Sequence, residues 1–154
     1  MNELAAEWVE KAEGDYATAG RELRARHRPN YDAACFHAQQ TAEKYLKAFL
    51  QEHEVAFPKT HSLIQLLELS LTVDPSFEFQ RDPFVLLDRY AVRYRYPGES
   101  ADKAEARLAF ETVTAVRTFL RAKLGMPEDR HEQTHPGSGG VSRLRDGAGQ
   151  RLAR

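Results

Sequence analysis

The chain has 154 residues, 42% of them apolar and 29% charged, with a formal net charge of -1 at pH 7. That length buries a core without help from disulfides or metal, and the single cysteine, Cys35, excludes an intramolecular disulfide. A charge so close to zero excludes a whole-molecule field for nucleic acid or membrane, so nucleic-acid binding would need a local basic patch.

The N-terminus, "MNELAAEWVEKAEGDY", carries acids and a Trp where a secretion signal needs a basic start and an apolar run. No stretch approaches the ~18 apolar residues of a membrane span. A cytoplasmic protein with no membrane association is expected, built as one domain.

The first predicted element runs from about Glu3 to Arg26. Ala5, Trp8, Val9, Ala12, Tyr16, Ala19 and Leu23 recur every three to four positions, one stripe of a helix. Its basic end, "RELRARHR", suits a helix C-terminus, where positive charge meets the dipole. "RPN" over 28–30 is a turn, with Asn30 as N-cap. The second helix then runs to about His53 on a stripe of Ala34, Cys35, Ala38, Ala42, Tyr45, Leu46 and Phe49. The small residues at its start admit a close neighbouring helix, and Cys35 in that stripe reads as a buried, inert thiol.

Thr60 is the expected cap of a third helix carrying Leu63, Ile64, Leu66 and Leu67. "TVDPSFEFQ" reads as a loop. Asp82 followed by Pro83 signals the start of a short fourth helix, which buries Phe84, Leu87, Tyr90 and Ala91. That helix must stop near Tyr94, because Pro97 disfavours helix just before it. Ser100 is the expected cap of the last helix, which runs to about Leu124 with Ala106, Phe110, Val113, Val116 and Leu120 on one face. Gly125 and Pro127 end it. No strand signal survives this pass. The expected fold is all-α: an up-and-down bundle of about five helices, three long and two short, over residues 1–125. Residues 126–154 read as a flexible tail. Six of the nine glycines lie from Gly125 onward, with no Phe, Tyr or Trp. Within it, "RLRDGAGQRLAR" is either a floppy end or a basic contact for a partner.

Two stretches carry polar chemistry. In "CFHAQQTAEKYLKAFL", residues 35–50, His37, Gln40, Thr41 and Lys44 fall on a face beside the apolar stripe. Glu43 and Lys47 are i,i+4, the spacing of a surface ion pair. Periodicity leaves two readings, a wet flank or a specific polar face. In "RYAVRYRYPGES", residues 89–100, Arg89, Arg93 and Arg95 interleave with Tyr90, Tyr94 and Tyr96. Such interleaving holds phosphates and stacks bases, or else fills a bundle and pairs with acids across it. Phosphate-binding loops, dinucleotide fingerprints and zinc-protease motifs are absent. Cys35 and His37 point apart on a helix and cannot share a metal. No metal site and no cofactor is expected.

The helix-two run "CFHAQQTAEKYLKAFL", then "THSL" at 60–63, then "RYP" at 95–97, together with "WVEKAEGDYATA" in the first helix, resembles the small bacterial and archaeal HEPN-domain proteins. The likeness extends over about residues 5–122. It implies a helical bundle that usually forms a homodimer and that works beside a minimal nucleotidyltransferase in a two-component, toxin–antitoxin-like pair. It also implies a nucleotide or RNA ligand. Gln39, Gln40, Glu43 and Lys44 would then face a neighbouring helix, a dimer partner or a nucleotide, sharing one groove with Arg93, Arg95 and Tyr96. Many HEPN proteins are metal-independent ribonucleases with an Arg and a His spaced by four to six residues. Here the positions so spaced from Arg95 are Ser100, Ala101 and Asp102. The pairs Arg21 with His27 and Arg130 with His135 have a ribonuclease-like spacing but lie elsewhere in the chain. A branch that keeps the fold without cleavage therefore fits the residues better than an enzyme. The alternatives are an endoribonuclease with a non-standard site, using His37 or His61 with Arg95, and a bundle that only dimerises.

Overall fold

A computed structural model describes residues 1–129. The chain forms α1 (Glu3–Arg24), α2 (Tyr31–Glu52), α3 (Leu63–Leu71), α4 (Arg81–Asp88) and α5 (Lys103–Lys123), with short 3-10 turns at Pro75–Gln80 and Arg89–Ala91. No strand occurs among the described residues. The three long helices are α1, α2 and α5, as the periodicity predicts. The expected "RLRDGAGQRLAR" contact and the Arg130–His135 pair lie outside the described residues.

α2 is the centre of the bundle, packed by α1, α3, α4 and α5. Between Thr41 and Leu50 every residue except Lys44 is buried. Its small early positions, Ala34, Cys35, Ala38 and Ala42, join Ala12 of α1 and Ala106 and Ala109 of α5 in one core. The core's large members are Tyr45, Phe49, Phe77, Phe84 and Tyr90, with leucines from α2, α3, α4 and α5. A helix enclosed on so many sides has little wet flank. This is why its polar residues need partners inside the protein.

The helix ends show where local rules compete. Asn30 caps α2 as expected, its side chain accepting from the Ala33 N–H at 2.9 Å. α1 stops two residues before its expected end, and Arg28 takes a left-handed φ of 46° in the turn that follows. Ser62, not Thr60, caps α3; Thr60 Oγ1 instead accepts from the Ser62 N–H at 3.1 Å. The Asp-Pro start signal operates at Asp74-Pro75 rather than at Asp82-Pro83. Asp74 accepts from the Ser76 N–H, and Pro75 opens the 3-10 turn that seats Phe77 in the core. α4 therefore begins earlier, at Arg81, and becomes a 3-10 turn at Arg89 instead of running to Tyr94. Asp102, not Ser100, caps α5, accepting from the Glu105 N–H at 2.8 Å.

The end of α5 is a Schellman turn. The Gly125 N–H donates to Ala122 and the Met126 N–H to Arg121, with Gly125 at a φ of 69° that favours glycine. The chain then turns back. Met126 packs on the core, and Asp129 accepts from Arg117 at 2.6 Å.

Candidate functional site

The polar residues of α2 sort into two groups, each tied to a different element. Gln39 is fully buried, and its amide donates to the backbone oxygen of His61 at 2.9 Å. Gln40 donates to the Gln39 side-chain oxygen at 2.8 Å. Glu43, 2% exposed, faces His61 Nδ1 at 2.8 Å through one oxygen and Lys47 at 3.5 Å through the other. The Glu43–Lys47 pair, expected at the surface, is thus buried, and Lys47 sits over the Trp8 ring at 5.3 Å. Gln39 and Glu43 together fasten the segment that carries "THSL".

The second group faces α1. Asp15 receives His37 Nδ1 on one carboxylate oxygen at 2.7 Å and Lys44 on the other. Its side chain is 11% exposed, while those of His37 and Lys44 stand at the surface edge at 29% and 22%. His37 Nε2 has no hydrogen bond among the described residues, so a fixed imidazole turns a free nitrogen outward. Asp15 was not anticipated. The signal for it was an acid falling next to Tyr16 inside the α1 stripe.

Arg95 sits elsewhere, on the segment between α4 and α5. An open recess of about 420 Å³ lies between that segment and the start of α2, lined by Asp32, Ala33, Phe36, Tyr90, Tyr94 and Arg95 with Asn30 at its edge. The Arg95 guanidinium stands over the Phe36 ring at 5.7 Å and makes no ion pair among the described residues. Asp32 accepts from the Ala101 N–H at 2.6 Å, which ties the segment to the α2 N-terminus. Gly98, at a φ of 114°, provides the turn after Pro97 that brings the chain back. Arg93 bonds Glu99 at 3.4 Å, and Tyr96 is 72% exposed.

None of Gln39, Gln40, Glu43 and Lys44 lines the Arg95 recess. The α2 residue that reaches it is Phe36, and His37 meets Phe36 edge-on at 5.4 Å. His61 lies with Glu43 and does not line the Arg95 recess. Phe36 was not singled out from the sequence, because it falls outside the apolar stripe; an aromatic off the stripe is itself the signal.

Burial, then the bond to Glu105, pushes the Tyr90 phenol upward, and burial also raises Tyr94. Both remain neutral phenols at physiological pH. Burial, reinforced by Glu105 and Asp32, pushes the Cys35 thiol up to about 12, which agrees with an inert thiol. Among the described residues no three His, Cys, Asp or Glu side chains converge as a metal site would require. No helix of the described residues is long and apolar enough to cross a membrane.

Comparisons with known proteins agree with this architecture. The model of the HEPN domain matches residues 5–123. Among solved structures, TT1696 from Thermus thermophilus is 25% identical, with a TM-score of 0.63 over 77% of this chain and 97% of that one. ST0689, an archaeal HEPN homologue, is 23% identical, with a TM-score of 0.61 over 80% of this chain and 99% of that one. The second likeness is one of fold alone. No curated protein matches the chain.

Proposed function

The chain belongs to the HEPN-domain family, and from that premise we propose that it is a binding protein: it takes a nucleotide, free or as part of RNA, and acts with a minimal nucleotidyltransferase in a toxin–antitoxin-like pair. The observation that carries the nucleotide half is the Arg95 recess. A guanidinium without a carboxylate partner stands over Phe36, beside Tyr94, in a concavity of about 420 Å³. A base can stack on such rings while the guanidinium forks onto a phosphate. The residues assigned to this role are Phe36, Tyr94 and Arg95, with Arg93 over the Tyr94 ring at 5.3 Å and the exposed Tyr96 next to Arg95 in the chain. Gln39 and Glu43 hold the "THSL" segment, and Lys44 holds α1.

Nucleotide titration of the wild type against Arg95→Ala tests the assignment. Loss of the fork should weaken binding by at least about tenfold. Equal affinity, or no binding by the wild type, removes it. The partner half is tested by the neighbouring gene and by co-purification with its product; homodimer formation is read by sedimentation. A gene neighbourhood without a nucleotidyltransferase, and a protein that purifies alone, would leave a dimerising bundle.

A second reading has its own observation. His37 is oriented by Asp15, keeps Nε2 free, and adjoins the ring on which Arg95 rests. A carboxylate-oriented imidazole beside a cation is the arrangement of a general base with a phosphate clamp. RNA incubated with chelator-treated protein decides. Cleavage abolished in His37→Ala and kept in His61→Ala makes the protein a ribonuclease; intact RNA returns it to binding.

A further inference from the structure

On the other side of the α2 N-terminus lies a larger recess, about 750 Å³, formed where the end of α1 meets the start of α5. Its charged lining is entirely basic: Arg24 and Arg26 from one wall, Lys103 and Arg107 from the other, with Tyr31 at its edge. All four cations are exposed, and none forms an ion pair or side-chain hydrogen bond among the described residues. The nearby acids are otherwise engaged. Glu22 accepts from the Asn30 N–H at 3.1 Å, and Asp102 caps α5.

Arg24 has a local explanation, since a cation in the last turn of α1 suits the helix dipole. Lys103 and Arg107 have the opposite relation. Lys103 is the first residue of α5 and Arg107 lies one turn in, where the dipole disfavours positive charge. Arg26 lies beyond α1 and gains nothing from it. The fold thus holds four like charges around one concavity, two of them at the wrong end of their helix. Such an arrangement is stabilised by an anion and not by the chain itself.

We infer that this recess is a binding site for a run of consecutive phosphates, separate from the Arg95 recess. Lys103 and Arg107, at i,i+4, give two positive points along one wall, and Arg24 and Arg26 oppose them, so that successive phosphates are held from both sides. Two sources share this chemistry, the polyphosphate tail of a nucleotide and the backbone of a single-stranded nucleic acid.

The test uses the full chain with two probes, inorganic triphosphate by calorimetry and a fluorescent single-stranded RNA by anisotropy over a range of salt. Lys103→Gln/Arg107→Gln and Arg24→Gln/Arg26→Gln remove one wall each. Arg21→Gln, outside the recess, is the control, and thermal melts confirm that all variants fold. Binding of either probe, weakened at least tenfold by each wall pair and unchanged in Arg21→Gln, establishes the site. For RNA, the slope of log affinity against log salt should fall by about 1 to 1.5 per wall pair, at about 0.7 per lost phosphate contact. The probe that binds identifies the source. Failure of both probes to bind, or binding that the wall variants leave intact, overturns the inference. Because Arg95→Ala is read in parallel, that result stands apart from the fate of the Arg95 assignment.

Discussion

Individual side chains here are explained by who meets them. Asp74 does two tasks at once. It caps the 3-10 turn through the Ser76 N–H and pairs with Lys123 of α5 at 2.7 Å. The Lys123 ammonium, followed by Ser76, holds its carboxyl down to about 2 against an ordinary 3.8. A carboxyl depressed in the fold contributes stability above its unfolded value and loses that contribution as pH falls toward its folded value. Asp74→Asn keeps the cap and removes the charge. It should cost about 1 kcal/mol at neutral pH, the upper range for a partly exposed pair. The deficit relative to wild type should stay flat down to about pH 4 and shrink between there and about pH 2. Urea unfolding across that range measures it, and a deficit independent of pH would show that Lys123 is not the cause.

At the level of elements, hydrophobic spacing reveals a helix well, but its ends depend on which of several eligible residues wins. Asn30 had no rival within the turn it begins. Thr60 and Ser62 both qualify before α3, and so do Ser100 and Asp102 before α5; in each case the residue adjoining the first helical position caps. Of the two Asp-Pro pairs, Asp82-Pro83 falls inside α4, and the upstream pair, Asp74-Pro75, opens a turn in a stretch that the sequence presents as loop. The α1 stripe was legible despite Gly14, which is exposed in mid-helix with nothing within 4 Å of where a Cβ would stand. Its absence of a side chain therefore serves no packing. Gly14→Ala should stabilise the protein by about 1 kcal/mol, the propensity difference between the two residues, seen as a higher denaturant midpoint at unchanged slope. No gain would mean that the stability of α1 is not limited by its backbone. α1 has other anchors. Glu13 meets Arg117 at 3.0 Å and Arg121 at 2.9 Å and accepts from the Tyr45 hydroxyl, and Tyr16 stacks on Phe110 at 5.1 Å.

Across the whole molecule, net charge conceals where charge sits. α1 opens with Glu3, Glu7 and Glu10 and closes with Arg21 and Arg24. On its inner side, Glu13 and Asp15 are consumed by cations of α5 and α2. The sequence shows the basic end of α1, but not that the start of α5 folds against it, because that meeting joins positions some eighty residues apart. For the same reason the Arg95 stretch could be recognised while its ring, Phe36, could not. The outcome is a protein of net charge -1 in which four unpaired cations of the described residues, Arg24, Arg26, Lys103 and Arg107, surround one concavity. A total charge so close to zero gives a polyanion no long-range attraction, whereas a localised basic concavity retains it regardless of the total. The wild type should therefore bind immobilised heparin at pH 7.5 and low salt, and elute only as salt screens the contact. Lys103→Gln/Arg107→Gln should elute at clearly lower salt than wild type, and Arg21→Gln, although it removes charge from the same helix end, should elute close to wild type. Equal shifts in both variants would mean that the column reads total charge and not the concavity, and passage of the wild type straight through would mean that these four cations do not act together.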